Sequence, residues 1–148
     1  MRRLALAVAM VVACLSLSAC ATAAPIPTPS SAEIVGVWKH GSARIEFDPD
    51  GTFLASGIPK GAIEQSEVAL GAQPAGPPEN VVGTWSIGSG GTDVGGAPGV
   101  QLTFTSPQKI GFDYGVTLVV SSDLPPQLYV NLGHPDAGNR YSFTKTGS

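Results

Sequence analysis

The feature that most constrains the fold is an alternation of apolar and polar residues with a period of two, which begins at Ile34. This is the spacing of side chains on one face of a β-strand, whereas a helix repeats every 3.6 residues. The links are mostly too short for the helical crossovers that parallel strands need. The chain is therefore predicted to be all-β, a small antiparallel up-and-down β-barrel or sandwich of about eight strands. The residues that define the strand faces are Ile34, Gly36, Trp38, Ala43, Ile45, Phe47, Val81, Gly83, Trp85, Ile87, Val100, Leu102, Phe104, Val116, Leu118, Val120, Leu128, Val130, Leu132, Tyr141 and Phe143.

Three connecting segments differ in character. Asp48-Pro49-Asp50-Gly51 predicts a tight hairpin turn, because Pro fixes φ, Asp bonds nearby backbone and Gly accepts a positive φ. Residues 56–80 are too long for a hairpin loop; we expect a short helix within residues 62–70, and such an insertion can cover a barrel mouth. The Gly-rich residues 88–99 predict a flexible hairpin loop, since they lack the Lys and the strand-loop-helix context of a phosphate-binding loop.

The N-terminus has the parts of a secretory signal in order: Arg2 and Arg3, an apolar run over residues 4–17, and small residues before a cysteine. The run is shorter than the roughly 20 apolar residues that span a bilayer. Leu17-Ser18-Ala19-Cys20 resembles the lipobox of bacterial lipoproteins. The resemblance implies cleavage between Ala19 and Cys20, a lipid on the Cys20 thiol, and a location on the extracytoplasmic face of the cell membrane.

Two alternatives to this signal remain. An ordinary signal peptide cut near Ala24 would discard Cys20, and Cys14 is a weaker lipidation site because it leaves a very short apolar run. The favoured organisation is a signal peptide at residues 1–19, a lipid-anchored tether rich in Pro, Thr and Ser at 20–33, and an antiparallel β domain at 34–145. An extended tether of this length holds the domain up to roughly 40 Å from the bilayer.

Composition excludes several classes of protein. Loss of Arg2 and Arg3 with the signal takes the formal net charge from -3 to -5, and a nucleic-acid-binding domain would instead carry clustered Lys and Arg. The only cysteines are Cys14 and Cys20, so the domain has no disulfide although its compartment permits one. We expect a monomer that is held together by its core and binds no cofactor.

A short internal repeat leads to a second resemblance. Val35-Gly36-Val37-Trp38 recurs as Val82-Gly83-Thr84-Trp85, and each Gly places bare backbone beside the ring two residues on. Gly-x-Trp in a first strand resembles lipocalin-like barrels. In lipocalins an Arg near the last strand packs over that Trp, and Arg140 is the matching residue here. The resemblance implies an apolar ligand pocket.

The wider arrangement is similar to small actinobacterial-type lipoproteins. The shared elements are the two Trp strands, the Asp50-Gly51-Thr52-Phe53 hairpin and a late segment from Asp136 to Tyr141 that contains Gly138 and Arg140. This resemblance implies an architecture without an activity.

The residues that could do chemistry are few. His40 and His134 are isolated, His134 lies in a Gly-His-Pro-Asp sequence that predicts a turn between the last two strands, and no nucleophile motif is present. Asp48 and Asp50 resemble the start of a calcium loop, but Pro49 and the lack of a later bidentate Glu argue against one. We therefore expect neither an enzyme nor a metal site.

Two functions remain open. The favoured one is a binding module whose barrel holds a small apolar ligand or a cell-envelope component in a cavity lined by Trp38, Trp85 and Phe104. The alternative is a structural or protein-interaction module of the envelope, with a filled core and an exposed apolar patch that includes Tyr129. A hydrolase screen distinguishes both functions from catalysis. A search for retained ligand distinguishes the binding module from the structural module.

Overall fold

The computed structural model describes residues 26–65, 72–89, 97–106 and 115–147. Ala19, Cys20, the alternatives at Cys14 and Ala24, and the first part of the predicted tether lie outside these residues. Much of the predicted 88–99 loop and the second half of the predicted 62–70 helix also lie outside them. The expectations for those segments stay predictions.

Eight strands and two short α-helices make up the described chain, together with one 3₁₀ turn. Each strand pairs antiparallel with the next one, and β8 pairs with β1, so the sheet closes in the order β1 to β8. The all-β prediction is confirmed, and the closure decides for a barrel over a sandwich. Among the described helices, none is long and apolar enough to cross a membrane. In chain order the elements are α1 Ser31–Ile34, β1 Gly36–His40, β2 Ala43–Phe47, β3 Thr52–Pro59, α2 Lys60–Ile63, β4 Pro78–Ser89, β5 Pro98–Ser106, β6 Gly115–Val120, β7 Gln127–Asn131, the 3₁₀ turn Pro135–Ala137, and β8 Arg140–Thr146.

The core follows from the period of two. In β2, Ala43, Ile45 and Phe47 are buried, whereas Arg44 and Glu46 between them are half-buried and form an ion pair outside the barrel. The same alternation in the other strands fills one continuous apolar interior. Burial of each large apolar side chain contributes roughly 1.5–3 kcal/mol. A closed barrel of this kind leaves no unpaired sheet edge.

The turn between β2 and β3 has the predicted geometry. Gly51 has φ +87°, and its N–H donates to the carbonyl of Asp48 over 3.2 Å. The Asp50 carboxylate accepts from the hydroxyl and the N–H of Thr52, over 2.7 and 2.9 Å. These two bonds, the hydroxyl first, hold the pKa of Asp50 below its usual range. The hairpin prediction is confirmed.

The up-and-down order gives the barrel two distinct ends. The α1 end carries helix α1, the turn at residues 48–51 and the loop at residues 121–126. The α2 end carries helix α2, the turn at residues 41–42 and the segment at residues 132–139. The chain therefore enters the domain at the α1 end.

Helix α1 differs from the sequence prediction, which placed Ile34 in the first strand. Ile34 ends α1 and is buried because the helix lies across the α1 end. Ser30 and Glu33 form a capping box: the Glu33 carboxylate accepts from the N–H of Ser30 over 2.7 Å, and the Ser30 hydroxyl accepts from the N–H of Glu33. The bond from the Ser30 N–H lowers the pKa of Glu33. The folded domain thus begins before Ile34.

Helix α2 closes the opposite end of the barrel. It covers Lys60–Ile63 and ends before most of the predicted 62–70 helix, since residues 64 and 65 form a turn. Strands β3 and β4 extend into the predicted 56–80 insertion from both sides. The N–H of Gly61 donates to the carbonyl of Ala75 over 2.7 Å, and a Cβ on Gly61 would lie equally close to that oxygen. Ala62 and Ile63 are buried against the interior. The described part of the insertion, helix α2, therefore lies at this mouth of the barrel.

Candidate functional site

The repeated Gly-x-Trp motif secures the α1 end. The indole Nε1–H of Trp38 donates to the carbonyl of Ile34 in α1 over 2.8 Å, and that of Trp85 donates to the carbonyl of Asp48 over 3.0 Å. Both rings are largely buried, at 2% and 9% exposure. A buried indole needs a hydrogen-bond acceptor, and each one finds it on a segment that crosses the barrel end. The motif thus has a structural role that the sequence does not display.

The two glycines of the motif are required for different reasons: Gly83 for lack of space and Gly36 for its backbone conformation. A Cβ on Gly83 would lie 2.0 Å from the Thr103 carbonyl oxygen and 2.8 Å from the Phe53 ring, so only bare backbone fits. Gly36 instead has φ +120°, which side-chain-bearing residues rarely adopt. The expected close approach beside the Trp is present at Gly83, where a neighbouring aromatic ring occupies the space.

The barrel interior holds little free space. Its cavity is apolar and measures about 30 Å³, at the α2 end, with Ile58, Ala62, Ile63, Phe104, Tyr141 and Phe143 among its lining residues. That volume admits roughly one water molecule, whereas small-molecule sites measure about 300–1,000 Å³. The interior is therefore filled by its own side chains.

The predicted pocket residues do not share one cavity. Phe104 is half-buried and lines the small cavity at the α2 end, whereas Trp38 contacts a separate groove at the α1 end. Trp85 lines neither of them and packs edge-on against Phe47, with ring centroids 5.5 Å apart. Trp38 and Trp85 lie toward the α1 end of the described barrel, whereas Phe104 lies toward the α2 end.

Arg140 also differs from the lipocalin-like expectation. It is exposed, and its guanidinium lies 4.3 Å from the centroid of the Tyr129 ring on the outside of the barrel. Lys145 lies over Trp38 instead, with its Nζ 5.8 Å from the ring centroid and 2.7 Å from the Glu33 carbonyl that accepts from it. The reason is register: Trp38 is paired with Lys145, whereas Arg140 is paired with Asn131. Tyr129 is half-buried beneath Arg140 rather than part of an open apolar patch.

A larger groove lies outside the barrel at the α1 end. It measures about 530 Å³ and runs between residues 26–29 and the loop at residues 121–126, with Ile34 and Trp38 at its base. Its lining is mainly apolar. Leu124 on the loop is 94% exposed, far more than the other exposed large apolar residues, Leu54 and Val82 at 47% and 39%. The sequence analysis did not predict this groove. The sequence feature that indicates it is Leu124, an apolar residue that belongs to no strand pattern and precedes two prolines.

The polar groups of the described chain form no catalytic constellation. His40 stacks on Tyr141, and its Nδ1 donates to the carbonyl of Ser142 over 2.7 Å. His134 lies in the predicted turn, where its Nδ1 accepts from the N–H of Asp136, and both side chains are exposed. Burial raises the pKa of Tyr141. Among the described residues, no three acidic, His or Cys side chains come together to hold a metal ion.

Comparisons with known proteins identify no relative. No protein-family model matches the chain, and neither a curated protein nor a solved structure matches it significantly. Function therefore has to be argued from the residues and the geometry.

Proposed function

We propose that this chain is a lipoprotein anchored through Cys20 on the extracytoplasmic face of the cell membrane, whose barrel acts through its outer surface as a structural or protein-interaction module. The proposed action through the outer surface is supported by the filled interior, which has about 30 Å³ of free space. The anchor is supported by the lipobox-like Leu17-Ser18-Ala19-Cys20.

Substitution of each of the two cysteines of the chain tests the anchor. Cys20→Ser removes the thiol that receives the lipid, and Cys14→Ser is the matched control. We expect the wild type and Cys14→Ser to enter the detergent phase of a cloud-point separation with the signal removed, and Cys20→Ser to keep its signal and carry no lipid. Mass analysis of the N-terminal peptide checks for the acyl groups. A wild-type protein whose N-terminal peptide begins after Cys20, or begins at Cys20 without acyl groups, contradicts the anchor.

The filled interior is tested by native mass spectrometry of the protein purified gently from its own cells. We expect the mass of the processed chain alone, and cross-linking on intact cells then identifies the protein that contacts the barrel surface. An additional mass that survives native conditions and disappears on denaturation contradicts the proposal.

A small apolar ligand is the second candidate, and one observation favours it. The groove at the α1 end measures about 530 Å³, which lies within the usual range for a small-molecule site. This ligand would sit outside the barrel and contact Trp38, so a bound mass that is lost on altering Leu124 or Ile26 would identify the groove as its site.

A further inference from the structure

The distance between the proposed anchor and the folded domain is short. Residues 26–29 line the groove beside the barrel, and Ile26 is only six residues after Cys20. Six extended residues span about 19 Å at roughly 3.1 Å each, half the reach expected when the whole of 20–33 is free. A domain held this closely presents its α1 end to the bilayer, because the chain leaves from that end.

The loop at residues 121–126 projects an apolar tip at the same end. The N–H of Ser121 donates to the carbonyl of Gln127 over 2.8 Å, and the Ser121 hydroxyl accepts from the N–H of Gln127 over 2.9 Å. These bonds close the base of the loop. Leu124 at its tip is 94% exposed, so the described domain offers this side chain no apolar partner.

We infer that the α1 end docks onto the bilayer surface, with Leu124 entering the boundary between headgroups and acyl chains and the groove between residues 26–29 and 121–126 facing the lipid. This inference rests on the proposed anchor at Cys20. One leucine is too weak a contact to hold a free protein on a membrane. A tethered domain can dock through a much weaker contact, because the anchor makes docking intramolecular. The effective concentration of the domain at the bilayer is then in about the millimolar range.

Charge does not drive this docking. The exposed side chains of Glu33, Asp48, Asp50 and Asp123 lie at the α1 end, and Lys145 is the cation beside them. Acidic groups are repelled by anionic lipid within about a Debye length. We therefore expect apolar contact that is strongest on zwitterionic vesicles and that improves with salt on anionic ones.

The test uses a probe on the lipidated protein, reconstituted in phosphatidylcholine vesicles. Because Cys20 carries lipid in the processed chain, Ser122→Cys supplies its single free thiol for an environment-sensitive fluorophore. Asp136→Cys, at the opposite end and with a 92% exposed side chain, is the control position. We expect nitroxide-labelled lipid to quench the probe at 122 at least about twofold more than the probe at 136. Adding Leu124→Ser to the Ser122→Cys protein should lower the ratio of docked to undocked protein about tenfold, the order expected when one leucine is no longer buried.

Flotation of the same vesicles separates the possible failures. If the protein does not float with the vesicles, the anchor itself is wrong. If it floats but the probes at 122 and 136 are equally accessible to aqueous iodide, or if Leu124→Ser leaves the quenching unchanged, the anchor stands and the docking is overturned.

Discussion

Among the described glycines, Gly83 is the one at which a Cβ, as in Gly83→Ala, would meet the closest neighbour. The new Cβ would lie 2.0 Å from the carbonyl oxygen of Thr103 and 2.8 Å from the Phe53 ring. The oxygen belongs to the backbone of β5 and cannot rotate away, so β4 and β5 must separate locally. Overpacking of this kind costs about 1–3 kcal/mol, and loss of one or two ladder hydrogen bonds adds about 1 kcal/mol each. The smaller entropy loss of Ala offsets about 0.5–1 kcal/mol. The net expectation is a loss of about 3 kcal/mol in the free energy of unfolding.

Gly88→Ala is the matched control in the same strand. Its Cβ would meet the side chain of Gln101, at 3.1 Å from Nε2. That side chain is held only by a long hydrogen bond of 3.4 Å to the Ser89 carbonyl, so it can move at little cost. We expect a change within about 1 kcal/mol. Urea unfolding followed by tryptophan fluorescence measures both, because Trp38 and Trp85 are buried. With a slope of about 2 kcal/mol per molar urea, Gly83→Ala should lower the midpoint by about 1.5 M. Equal midpoints for the two variants would refute the steric argument.

Four further changes test the packing. Trp38→Phe removes the hydrogen bond to the Ile34 carbonyl and should lower the free energy of unfolding by at least about 1 kcal/mol, as measured by denaturation. Ile63→Ala opens the α2 end, and we expect a loss of about 2–4 kcal/mol with increased binding of an apolar dye. Arg140→Ala should cost at most about 1 kcal/mol, since the guanidinium over Tyr129 is exposed. Burial raises the pKa of Tyr141, so the unfolded state releases the proton first and stability falls as the pH rises above about 10; a Tyr141→Phe protein should lose this part of the pH dependence in denaturation curves.

The parts of the fold that could be predicted from the sequence are those set by residues close together in the chain. The period of two in β2 and β4 assigns each side chain to a face, and the Asp48-Pro49-Asp50-Gly51 turn fixes the register between β2 and β3. Short links then make each strand the neighbour of the next one. Closure follows from the number of strands and the apolar inner face, but the β8–β1 pairing joins residues about a hundred positions apart. No local pattern could specify that register.

The contacts of Arg140 are set by that distant register, whereas Ile34 and the cavity differ from expectation for other reasons. Arg140 was placed over Trp38 because it precedes the last strand, yet the pairing of β1 with β8 puts Lys145 opposite Trp38. Ile34 continued the alternation of β1, but the Ser30 and Glu33 capping box turns this segment into helix α1. The volume of the cavity also could not be predicted from the sequence, because it depends on how side chains from all eight strands pack together.

The same tryptophans that suggested a ligand pocket take up much of the space at one end of the barrel. Trp38 and Trp85 fill the α1 half of the barrel and bind the backbone of the segments that cover it, while Ala62 and Ile63 of α2 fill the other mouth. Within the described residues, side chains of the barrel itself therefore occupy most of the interior. The small interior volume supports the proposal that recognition occurs on the outside of the domain. The groove and Leu124, which distinguish one end from the other, lie where the chain continues toward Cys20.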